Sequence, residues 1–117
     1  MTLAVRKEVE DLVVRAFVAT DERDWDTLHA CMTDPVILDM TSLVGGEPSV
    51  VSPDVVSSIW ADGFANLDHI HHQVSNFRTA VDGFRAQVRC YGTVWHYREG
   101  ILDPVKWRQF VGTYEFD

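Results

Sequence analysis

The sequence predicts an α+β domain in which N-terminal helices pack on one face of a curled antiparallel sheet. Three patterns carry that expectation. Residues 3–20 place Val5, Val9, Leu12, Val13, Ala16 and Phe17 on one helical stripe. A second stripe, Val55, Val56, Ile59, Trp60, Phe64 and Leu67, follows a Ser52-Pro53 start signal. From residue 69 onward the chain alternates like strands, with Asp82-Gly83 as a hairpin turn.

The elements follow in order. The first helix should end at the polar break DERDW, where Asp24 is suited to cap a short second helix running to about Met32. Asp34-Pro35 should end that helix. PVILDM reads as a short strand buried on both faces, and LVGGEPSVVS as a loop broken by Gly45-Gly46 and Pro48. Three strands remain: HIHHQVSNFRTAV, FRAQVRCYGTVWHYRE and, after the loop EGILDP, VKWRQFVGTYEFD.

A chain of 117 residues, 46% apolar and 11% aromatic, is expected to form one domain with a real core. Eighteen acids against ten bases give a net charge of −8, and no Lys/Arg-rich run is present. That balance argues against nucleic acid and against anionic lipid as partners. No apolar run reaches membrane-spanning length, and the start MTLAVRKEVE lacks the apolar core of a secretion signal. A cytoplasmic location is the expectation. Cys31 and Cys90 lie far apart in apolar surroundings and read as buried free thiols.

Chemistry concentrates in DHIHHQVSN, residues 68–76. In a strand, alternate residues share a face. His69, His71, Gln73 and Ser75 therefore point to one side; Ile70, His72, Val74 and Asn76 point to the other. The outer pair could supply two metal ligands, yet no third donor is evident, so no metal is assigned. His72 is expected to face inward. On the next strand Phe84, Ala86, Val88, Cys90, Gly92, Val94 and His96 share a face, with a bulge at Gly92 able to shift His96. Asp39 follows three apolar residues, and a buried carboxylate needs a partner. Asp39, His72 and His96 thus form a candidate constellation, either for acid/base work or as a polar network fixing the sheet. Trp60 and Phe64 are candidate pocket wall or core, and Asn76 a candidate ligand contact.

The stretches LDMTSLVGG, PDVVSSIW, HHQVSNFRTAVDG, AQVRCYGTVWHY and GTYEFD resemble the SnoaL-like branch of the nuclear transport factor 2-like superfamily, across nearly all of residues 1–117. The resemblance implies a cone-shaped curved sheet around helices, a deep pocket for hydrophobic ring compounds, and no cofactor. Its members include polyketide cyclases, ketosteroid isomerases, an epoxide hydrolase and dehydratases. The spacing is most similar to scytalone dehydratases. That likeness implies that His96, held by Asp39, removes a proton next to a carbonyl while His72 helps protonate the departing hydroxyl. The tyrosine that precedes the acid in those enzymes is replaced by Leu38. The family usually adds a strand after GTYEFD, so that strand is expected to be missing or replaced, for example by a second subunit. Tyr91, Trp95 and Tyr97, alternating on the outer face, predict a homodimer through that face. The alternative to an enzyme is a ligand-binding or dimerisation domain of the same fold without a reaction.

Overall fold

The computed structural model describes residues 2–100 and 105–117. Helix α1 spans Leu3–Glu22, and α2 spans Trp25–Ala30. The two-stranded pair β1 (Val36–Leu38) and β2 (Ser49–Val51) flanks a single-turn helix α3 (Thr41–Val44). Helix α4 (Pro53–Phe64) leads into the meander β3 (His69–Asp82), β4 (Arg85–Tyr97) and β5 (Trp107–Phe116). The sheet order is β3-β4-β5, antiparallel throughout. Of the expected loop EGILDP, Ile101–Pro104 lie outside the described residues.

Local chemistry sets the helix ends. Thr2 caps α1 by accepting from the Val5 amide. The helix runs past residue 20, through the first part of the polar stretch, and stops where Arg23 turns left-handed at φ 54°. Asp24 then caps α2, accepting from the Thr27 amide at 3.2 Å and its hydroxyl at 2.6 Å. Ser52 caps α4, with Pro53 in the first turn. The Arg23 guanidinium reaches across to the carbonyls of Phe64 (3.0 Å) and Leu67 (2.9 Å). One cation thereby ties the end of α1 to carbonyls at and just after the end of α4.

Helix α1 lies along the inner face of β3 and β4. Val13, Val88 and Cys90 form a buried cluster, with Val9, Phe17, Val74, Phe77, Tyr114 and Phe116 packed against it. The inward row of β4 is the one that alternation predicts: Val88, Cys90, Gly92 and Val94 are buried, and His96 is half-buried. The irregularity lies on β3 instead of at Gly92. The register slips between Ser75 and Arg78, so Asn76 and Phe77 have no direct partners on β4. Such a bulge bends a strand and increases its twist.

Two segments depart from the expectation: within the stretch read as a loop, Val44 ends α3 and Ser49–Val51 form β2. The PVILDM segment is not buried on both faces: β1 pairs only with β2, and Ile37 is 71% exposed. A run of apolar residues reports suitability for a strand; which layers cover it is decided by the rest of the chain. Among the described residues no helix is long and apolar enough to cross a membrane.

Candidate functional site

The site is built where the end of α1 meets the start of β3. Val9, Val13, Phe17 and Asp21 follow one another at four-residue steps, so the core stripe of α1 ends in a carboxylate. That carboxylate grips β3 twice. Its Oδ2 accepts the His72 backbone N–H at 3.0 Å, and its Oδ1 lies 2.5 Å from His72 Nδ1. Both side chains are largely removed from solvent, at 9% exposure for His72 and 17% for Asp21.

This geometry assigns the tautomer. An ionised carboxylate only accepts, so Nδ1 of His72 must carry the proton. In the neutral ring the lone pair then belongs to Nε2, which makes no hydrogen bond among the described residues. Phe17 packs on the ring with centroids 5.2 Å apart, which limits its rotation.

A second imidazole occupies the same face. His72 pairs with Val94, and His96 lies two residues further along β4, opposite Ile70. His96 is set between aromatic rings, 5.5 Å from Phe64 and 5.0 Å from Phe110 between centroids. Trp60 stacks on Phe64 at 6.4 Å, so one turn of α4 supplies the apolar wall. Burial pushes the His96 imidazole below its ordinary value, and repulsion from His72 adds to the effect. His96 is therefore suited to act as a neutral hydrogen-bonding group beside the Asp21–His72 pair.

Asp39 is placed differently from the expectation. It is exposed just after β1, and its Oδ1 accepts from the Thr41 amide (3.0 Å) and hydroxyl (2.6 Å). Those two bonds hold its carboxyl below the usual range. Among the described residues it makes no hydrogen bond to His96. The expectation rested on burial of β1; with the strand exposed, the local turn at Thr41 satisfies Asp39 instead. Asn76 is also displaced. At the bulge it adopts φ 57°, is exposed, and borders a shallow outer concavity with Phe77, Arg78 and Tyr91. Asparagine tolerates that left-handed conformation better than most residues, which suits it to the bulge.

Asp21 is the residue that sequence reasoning passed over. Its signal was its place four residues after Phe17, although it also sits at the start of a run that reads as a polar break.

His69 and His71 lie on the outer face. His69 stacks on Tyr97 at 5.6 Å, and both histidines line an open concavity of about 720 Å³ with Trp95 and Trp107.

The chain belongs to the SnoaL-like domain family, whose model matches residues 1–117. Solved structures share its nuclear transport factor 2-like fold. The Kfla4162 protein of Kribbella flavida is 22% identical, with a TM-score of 0.86 over 94% of this chain and 76% of that one. A Novosphingobium aromaticivorans protein put forward as an aromatic ring hydroxylase is 23% identical, with a TM-score of 0.80 over 99% and 78%. A Streptomyces avermitilis protein put forward as a dehydratase of the same fold family is 14% identical, with a TM-score of 0.68 over 93% and 81%. At these identities the likeness is one of fold. No curated protein matches the sequence.

The His96 environment predicts a pH effect. Its folded-state value lies below the unfolded value of about 6.5, so charging it costs stability. The loss begins as pH falls through the unfolded value and is complete below the folded one. Urea unfolding of the wild type and His96→Gln across that window should show a shallower acid loss in the variant. Parallel curves would contradict the assignment.

Proposed function

We propose that this SnoaL-like domain is a cytoplasmic, cofactor-independent acid/base enzyme of dehydratase, isomerase or cyclase type, acting on a small hydrophobic ring compound. The observation that carries the reading is the bond between Asp21 and His72 on the inner face of the sheet. A histidine oriented by a carboxylate, with its other nitrogen unengaged, is the arrangement a general base requires. His72 Nε2 takes a proton from a carbon next to a carbonyl, and Asp21 holds the resulting imidazolium. In an isomerisation the proton returns to another carbon of the ligand. In a dehydration it leaves with the hydroxyl as water. His96, kept neutral by burial, hydrogen-bonds the oxygen that gains or loses charge. Trp60 and Phe64 form the apolar wall against which the ring lies. The family and its structural neighbours support a ligand-binding fold of this kind.

A screen of cyclic ketones and hydroxyketones against the wild-type chain tests the reading. Ligands should raise the melting temperature, and a substrate among them should be turned over. Asp21→Asn and His72→Ala should each lower turnover by about 10²–10⁴-fold, while Asp39→Asn should leave it unchanged. Turnover surviving both dyad substitutions would leave a binding domain without a reaction. A panel that never shifts the melting temperature would remove the pocket as well.

The outer face favours a homodimer. Tyr91 and Trp107 are each 50% exposed, and Val111 is 77% exposed beside them. With Trp95 and Tyr97 they form an aromatic row on this face, and Trp95 and Trp107 line the concavity. Light scattering at tens of micromolar should give twice the chain mass, and Trp107→Glu should reduce it to one. A wild-type monomer at that concentration would refute the interface.

A further inference from the structure

The bulge on β3 changes which face the later residues of the strand present. Ser75 pairs with Tyr91 and Arg78 with Arg89, so Asn76 and Phe77 together stand opposite Cys90 alone. If alternation continued unbroken from Ser75, Phe77 would point outward and Arg78 inward. With the extra residue, Phe77 packs against the buried cluster and Arg78 stands exposed on the outer face. There it lies directly opposite a second arginine. Like charges opposed across an antiparallel pair are unfavourable.

The neighbouring cations are compensated, and this one is not. Arg89 Nε lies 3.1 Å from Glu115 Oε1, on the side of β5 and away from β3. Arg85 is held by Asp117. Among the described residues the Arg78 guanidinium makes no ion pair and no hydrogen bond, and neither does the side-chain amide of Asn76. Both border a concavity of about 290 Å³ whose other walls are Phe77 and Tyr91. No acid lines it, although acids outnumber bases 18 to 10 in the chain. Tyr91 is 50% exposed, so its ring is open to contact. A free guanidinium, an amide donor and two aromatic rings suit an anion that carries a flat apolar body. The two parallel N–H donors of a guanidinium match the two oxygens of a carboxylate.

We propose that the outer face at the β3 bulge binds a small aromatic carboxylate, its oxygens on the Arg78 guanidinium and the Asn76 amide and its ring against Tyr91. The bound anion offsets the repulsion between Arg78 and Arg89 that the bulge creates. The site shares no lining residue with the concavity at Trp95 and Trp107. It lies across the sheet from His72 and does not depend on the acid/base reading.

The test titrates benzoate, its neutral analogue benzamide and inorganic phosphate into the whole ¹⁵N-labelled chain, as wild type, Arg78→Gln and Arg78→Lys, followed by NMR shifts. Benzoate should move the Arg78 Nε–H and Asn76 side-chain signals and leave the His72 ring unmoved. It should bind wild type about tenfold more tightly than benzamide, the worth of one hydrogen bond to a charged group. Arg78→Gln should erase that preference, and Arg78→Lys, which keeps the charge and loses the fork, should retain part of it. Because the variant removes one of two opposed cations, Arg78→Gln should melt no lower than wild type. Equal binding of benzoate and benzamide, a preference that survives in Arg78→Gln, phosphate as tight as benzoate, shifts confined to the inner face, or no benzoate binding at millimolar concentration overturns the site. A lowered melting temperature in Arg78→Gln would make Arg78 a structural residue and overturn it as well. Each of these outcomes leaves the acid/base pocket standing.

Discussion

The carboxylate of Asp21 fixes the relation between the helix and the sheet at the place where chemistry is possible. With one oxygen on the His72 backbone and the other on its ring, it joins two elements 51 residues apart in sequence. A largely buried carboxylate is tolerated only with such partners. The same bonds that satisfy it also determine which histidine nitrogen carries the proton. Position and tautomer of His72 thus follow from one contact. Arg23, two residues on, extends the arrangement by holding the last carbonyls of α4, which brings Phe64 over His96. The end of α1 organises both the polar and the apolar side of the site.

The inner face is graded from sealed to open. Val88 and Cys90 are fully buried beneath α1. Tyr114 and Phe17 follow, then His72, and then His96 with Phe64 and Phe110. Polar groups appear only where burial is incomplete, which is where a ligand rather than the core would desolvate them. The outer face is aromatic and exposed at one end, and its concavity lies on the opposite side of the sheet from the dyad. On the proposed reading the two faces divide two tasks, ligand chemistry within and association without.

Much of this was legible in the residues. Four-residue spacing located α1 and α4, the caps Asp24 and Ser52 marked helix starts, and alternation along β4 identified the row that His96 ends. His72 could be separated from His69 and His71 by parity alone. The failures have physical causes. Asp39 follows a strand whose apolar residues look buried, yet β1 has only β2 for company. Asp21 sits among polar residues that resemble a loop, and only its phase with Val13 and Phe17 shows that it faces the sheet. Asn76 shared parity with His72 until the bulge, a single irregular pair of residues, turned it outward. The close approach at Gly92 is tertiary: a side chain there would meet the ring of Tyr114, which comes from another strand. Periodicity reports which way a side chain points; it does not report what arrives from elsewhere to meet it.

The most direct test of this account is the exchangeable Nδ1 proton of His72. Proton and ¹⁵N NMR of the free protein should show a strongly downfield Nδ1–H, with Nε2 as the unprotonated nitrogen of the neutral ring. That resonance should vanish in Asp21→Asn and persist in Asp39→Asn. Its persistence in Asp21→Asn, or a neutral ring protonated at Nε2, would contradict the dyad on which the proposed chemistry depends.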